Sequence, residues 1–132
     1  MNRRHFNALA LAALAAPFAA AAPVLARDFA AYRADSFPKL LGAGGSLIVH
    51  VHADWCAVCR AQMPIINKAL AAPAYANVKT VRVNFDKDKQ FLADYKVVRQ
   101  ATIVAFKGGK EVARLSYDTD EEKIRKTLAA AL

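Results

Sequence analysis

The 132-residue chain is sparing with the residues that carry chemistry: two cysteines, one tryptophan, three histidines, and 11 acidic side chains against 19 basic ones. Two cysteines separated by two residues close so short a loop that a bond between them restrains the unfolded chain little, which excludes a disulfide-stapled scaffold. The basic surplus, net +8, contains no dense run and no interleaved aromatics, which excludes a nucleic acid partner. It reads as solvated surface, and an acidic partner protein or an anionic membrane surface suits it better. No internal repeat or second domain is visible, and a 56% hydrophobic composition is ample for one core.

A long strongly apolar run is also missing. The uncharged stretch from Ala8 to Ala26 is built of alanine more than leucine and is interrupted by Pro17 and Pro23, which makes a poor membrane span. Preceded by Arg3-Arg4-His5-Phe6 and ending in Val24-Leu25-Ala26, it has the order of an export signal. The arginine pair resembles the twin-arginine kind, with a general secretory signal as the alternative and a retained anchor as the competing reading. The expectation is a leader over 1–26, cut after Ala26, and a periplasmic domain over 27–132 that meets the membrane only through that leader.

Both cysteines, the tryptophan and two histidines fall in His50-Val51-His52-Ala53-Asp54-Trp55-Cys56-Ala57-Val58-Cys59-Arg60. An apolar, β-branched run from Ser46 to Ala53 predicts a strand buried on both faces, with Ile48, His50 and His52 on one of them. A helix is predicted from Cys56 or its neighbour to about Leu70, with Met63, Ile66, Ala69 and Leu70 as its stripe and a kink at Pro64. Cys56 then sits at a helix N-terminus, where free backbone N–H groups and the macrodipole favour a thiolate, and is the candidate nucleophile. Cys59, one turn on and shielded, is the candidate resolving thiol, able to close a disulfide on Cys56 and release a reduced partner.

Around this centre, Asp28 to Leu41 reads as a helical or broken-helical lead-in, with Pro38 an irregularity. Val78 to Phe85 alternates as a strand, Phe91, Leu92 and Tyr95 mark a short helix, and Thr102–Phe106 and Glu111–Tyr117 pair across Gly108-Gly109 as a hairpin. Thr119 and Glu122 predict a capping box for a last helix with Ile124, Leu128 and Leu132 on one face. The order predicts an α/β fold: parallel strands joined by crossover helices, an antiparallel hairpin at one edge, and helices flanking the sheet.

Ala53-Asp54-Trp55-Cys56-Ala57-Val58-Cys59-Arg60, Pro64 five residues after the second cysteine, Val83-Asn84-Phe85-Asp86 and Thr102 to Lys110 together resemble the thioredoxin family over nearly all of 29–132. The resemblance implies a thioredoxin-like fold and a protein thiol-disulfide oxidoreductase, monomeric, without a bound cofactor. Its partners are protein thiols and disulfides and an upstream electron donor or acceptor protein. It implies that Trp55, Ala101 and Thr102 line the substrate groove and that Trp55 shields the disulfide.

Three residues depart from the family pattern. Ala101 stands where the family has a cis-proline, and since a cis bond before a non-proline residue costs about 3–4 kcal/mol, a trans Gln100–Ala101 peptide is expected. His50 stands where the family buries an aspartate, and is a candidate proton acceptor at the second cysteine if its pKa stays near working pH; otherwise it is a core histidine bonded to backbone. His52 replaces an aromatic residue. Arg60 adds positive potential near Cys56, and Arg82 lacks the buried acid that the family places near it. Because Ala57 and Val58 supply no charge, a reductant or relay is expected over a strong oxidant. Two other functions fit the same residues. One is a copper or zinc module or metallochaperone using Cys56 and Cys59, with or without His50 and His52. The other is a non-catalytic interaction domain on the same scaffold.

Overall fold

The computed structural model describes residues 27–132; the leader expected over 1–26, and the anchor that competes with it, lie outside the described residues. The elements are β1 (Ala30–Ala31), α1 (Phe37–Gly42), β2 (Ser46–His52), α2 (Ala57–Leu70), a 3-10 turn (Pro73–Tyr75), β3 (Lys79–Asn84), α3 (Lys89–Asp94), β4 (Thr102–Lys107), β5 (Lys110–Ser116) and α4 (Glu121–Ala129). They form a five-stranded sheet in the order β1-β3-β2-β4-β5. β2 runs parallel to β3 and antiparallel to β4, and β4 runs antiparallel to β5. This is the mixed sheet read from the sequence.

Alternation along β2 divides the core in two. Ile48 packs with Ile66, Leu70, Ile103, Ile124 and Leu128 beneath α2 and α4. Leu47, Val49 and Val51 point the other way, into Val81, Val83, Val104 and an aromatic group around Phe37. Phe37 meets Tyr32 at 5.3 Å, Phe91 at 5.5 Å and Tyr95 at 5.8 Å between ring centroids, the last two edge-on. Such pairs add about 0.5–1.5 kcal/mol each beyond area burial. β2, covered on both sides, is therefore a rigid base for whatever follows His52.

Three local expectations are corrected. The lead-in is not a broken helix from Asp28. Ala30 and Ala31 pair with Val81 and Arg82 as an edge strand, and α1 starts only at Phe37, with Pro38 in its first turn where no N–H is needed. The α4 cap is Asp120, whose carboxylate accepts the Lys123 N–H at 2.9 Å, and not Thr119. Nor does Leu132 complete the apolar face, because the helix ends at Ala129; Ala131 is fully buried and Leu132 is 41% exposed. The hairpin stands as read: Gly108 (φ 59°) and Gly109 (φ 81°) both take the left-handed conformation of a primed turn.

Candidate active site

Cys56 is the N-cap residue of α2. Its backbone is extended (φ −87°, ψ 108°), and its sulfur accepts the Cys59 N–H at 3.1 Å, so the side chain occupies one of the donor positions that a helix start leaves free. The Cys56 N–H in turn donates to the Ala53 carbonyl at 3.1 Å, fixing the turn from β2 into the helix. Both cysteines are free thiols, Cys56 3% and Cys59 0% exposed, and they cluster with Ala53 and Ala101. The Cys59 thiol lies 3.9 Å from the Val51 carbonyl. Burial first, then its hydrogen bond with Cys56, pushes the Cys59 thiol up to about 11. The two thiols are thus held one helical turn apart, with the second kept protonated.

The Gln100–Ala101 peptide is trans, as expected from the alanine, and the site is shaped instead by Ala101 in the left-handed region at φ 57°. That conformation costs an L-residue roughly 1–2 kcal/mol. Three hydrogen bonds hold it: Ala101 N–H donates to the Val51 carbonyl at 2.8 Å, and the Ala101 carbonyl accepts from Tyr117 N–H at 2.9 Å and from Gln62 Nε2 at 3.0 Å. Thr102 does not offer its hydroxyl to a groove; the side chain is buried, with Oγ1 donating to the Arg99 carbonyl at 2.7 Å and 3.0 Å from Ser116 Oγ.

Trp55 is 59% exposed, and its indole N–H donates to Asp86 Oδ2 at 2.8 Å, which ties it to the loop after β3. Arg60 folds back onto the Asp54 carbonyl at 3.0 Å. Arg99 lies 3.6 Å from the centroid of the Tyr117 ring, next to Ala101 in the hydrogen-bond pattern; neither residue was singled out in the sequence.

His50 and His52 do share a face, their rings 5.7 Å apart. His50 is fully buried, and burial drives its pKa down to about 4. The expectation of an imidazole tuned to working pH is therefore corrected: His50 is neutral and a weak base. Its Nε2 lies 2.9 Å from Gln62 Oε1, so its partner is neither a cysteine nor backbone. His52 Nε2 lies 3.4 Å from Asp54 Oδ1, and burial, followed by Arg82, lowers its pKa as well. With His50 Nε2 committed to Gln62, and no three His, Cys, Asp or Glu side chains converging among the described residues, the metal reading finds no support.

Gln62 is the site residue the sequence reading missed. It is fully buried one turn after Cys59, and it bonds to His50, Ala101 and the Asp118 carbonyl (2.9 Å). The available signal was an amide on the otherwise apolar stripe of α2, three residues past a reactive cysteine.

A thioredoxin family model matches residues 28–130. Thioredoxin of Chlamydia pneumoniae is 31% identical over 80 residues, covering 61% of this chain and 76% of that protein. Thioredoxin of Alicyclobacillus acidocaldarius is 26% identical over 98 residues, covering 74% and 91%. Among solved structures, Trxlp from Edwardsiella tarda superposes with a TM-score of 0.71 at 30% identity, covering 76% of this chain and 98% of that one.

Proposed function

The chain belongs to the thioredoxin family, and from that membership we propose that it reduces protein disulfides, or relays electrons between them, through Cys56 and Cys59. The observation that carries the proposal is the Cys59 N–H held on the Cys56 sulfur at 3.1 Å at the start of α2.

The Cys56 thiolate attacks one sulfur of a partner disulfide and expels the other as a thiolate, leaving Cys56 joined to the partner. Cys59, once deprotonated, attacks Cys56 Sγ, forms the Cys56–Cys59 disulfide and releases the second partner thiolate. Two electrons pass to the partner, and an upstream dithiol protein restores the reduced pair. Burial holds Cys59 protonated and Ala57 and Val58 bring no charged side chain to the pair, which supports the reducing direction.

The partner docks between exposed Trp55 and the Ala101 turn, and Thr102 acts by fixing the backbone there. His50, neutral at working pH, adds no second negative charge to the site when Cys59 ionises. The protein acts as a monomer in the periplasm after the leader is cut at Ala26; the arginine pair and the alanine-rich stretch after it support this reading.

Insulin reduction by wild type, Cys56→Ser and Cys59→Ser provides the test. Wild type is expected to precipitate the insulin chains, Cys56→Ser to be inert, and Cys59→Ser to accumulate a mixed disulfide. Equal rates for wild type and Cys56→Ser would sink the proposal, and a redox potential near that of the strong oxidants would reverse its direction.

A further inference from the structure

Every polar valence of the Gln62 amide nitrogen is spent: Nε2 donates to the Ala101 carbonyl at 3.0 Å and to the Asp118 carbonyl at 2.9 Å. The reverse orientation of the amide would set Oε1 against two carbonyl oxygens, so the network itself assigns Oε1 to the remaining partner, His50 Nε2, at 2.9 Å. An amide oxygen only accepts. His50 Nε2 therefore carries the proton and donates it, and in the neutral ring Nδ1 is left as a bare lone pair. That atom is buried and has no hydrogen-bond partner.

The same amide reaches the other side of the site. Ala101 packs against Cys56 and Cys59 while holding its left-handed backbone, and Gln62 supplies one of the two hydrogen bonds to its carbonyl. One side chain, itself fully buried, thus joins the helix that carries the dithiol, the strand that carries His50 and the turn that faces the sulfurs.

We infer that Gln62 is a positioning residue of the dithiol centre: it locks His50 in the Nε2–H tautomer, with Nδ1 free to accept a proton, and pins the Ala101 turn. This rests on the reading of Cys56 and Cys59 as the redox pair. The groups around His50 are His52 on its own strand, Arg82 opposite it on β3, the uncharged Ile103 opposite it on β4, and the uncharged Gln62 on α2.

The test begins with the reduced wild-type protein at neutral pH, by long-range 15N–1H correlation of the imidazoles. His50 is expected to show a protonated Nε2 and an unprotonated Nδ1; a protonated Nδ1 overturns the inference at once. Gln62→Met keeps an unbranched side chain of similar size and removes all three hydrogen bonds. It is expected to give a mixture of His50 tautomers, to slow mixed-disulfide resolution about tenfold, and to displace the pH profile of that step. Adding Ala101→Gly, whose backbone takes the left-handed conformation freely, is expected to recover lost stability but neither the tautomer nor the pH profile. A folded Gln62→Met with wild-type tautomer and profile overturns the inference, as does full recovery of the profile by Ala101→Gly. Should Gln62→Met fail to fold, the wild-type spectrum still decides. Because that spectrum needs no turnover, it can fail while Cys56→Ser remains inert on insulin, which separates this inference from the function it refines.

Discussion

An imidazole with none of its surface exposed, on the strand that leads into the dithiol, is stable there only while uncharged. Burial lowers the His50 pKa from 6.5 to about 4, so unfolded chains bind a proton that folded ones refuse anywhere between those values. The contribution of His50 to stability is complete above pH 6.5 and is lost as pH falls toward 4, a difference of about 3 kcal/mol. His52 shifts in the same direction. Urea unfolding of the reduced protein at pH 7.5 and 4.5 is expected to show most of that loss, and His50→Gln is expected to flatten it. An equal loss in the variant would mean that His50 is charged or solvated in the fold. The chemistry-bearing residues of the site were legible in the sequence because Cys56, Cys59 and Trp55 are rare and lie within a five-residue stretch. Gln62 was not, because its meaning lies in partners from β2, the Ala101 turn and the segment before α4, which only the folded chain brings together.

Elements whose signal is local were read correctly, and those set by a neighbour were not. The seven-residue run of β2 and the Gly108-Gly109 turn declare themselves through alternation and backbone freedom. β1 has no such pattern; Ala30 and Ala31 are strand only because β3 offers them an edge, and Tyr32 N–H continues the pairing to the Arg82 carbonyl at 2.9 Å. The start of α4 is a contest between neighbours. Thr119 and Glu122 have the spacing of a capping box, but Asp118 Oδ1 accepts the Asp120 N–H at 2.8 Å and turns the chain so that Asp120 caps instead. A carboxylate there also faces the positive end of the helix. Asp120→Ala is therefore expected to cost about 1 kcal/mol in urea unfolding, and Thr119→Ala close to nothing. The opposite ranking would restore Thr119 as the cap.

At the scale of the whole molecule, one side chain ties the first described residue, ahead of β1, to three separate segments. The Arg27 guanidinium donates to the carbonyls of Val78 (2.8 Å), Tyr75 (2.9 Å) and Leu70 (3.0 Å). These are the last residue of α2, the last residue of the 3-10 turn and the residue before β3, so a single cation satisfies carbonyls at a helix end, where positive charge is favoured, and secures the crossover beneath the sheet. The fork geometry is specific to arginine; a lysine ammonium cannot span three acceptors in this arrangement as well. Arg27→Ala is expected to lower stability by about 1–3 kcal/mol and Arg27→Lys to recover only part of it, measured by urea unfolding. The same contact bears on the proposed processing. A cut after Ala26 leaves Arg27 as the first residue with its side chain engaged, whereas a cut one residue later removes the anchor. Sequencing of the exported protein is expected to begin at Arg27. A mature chain beginning at Asp28 with undiminished stability would show that the three carbonyls do not need the guanidinium, and one beginning at Met1 would refute the cleavage itself.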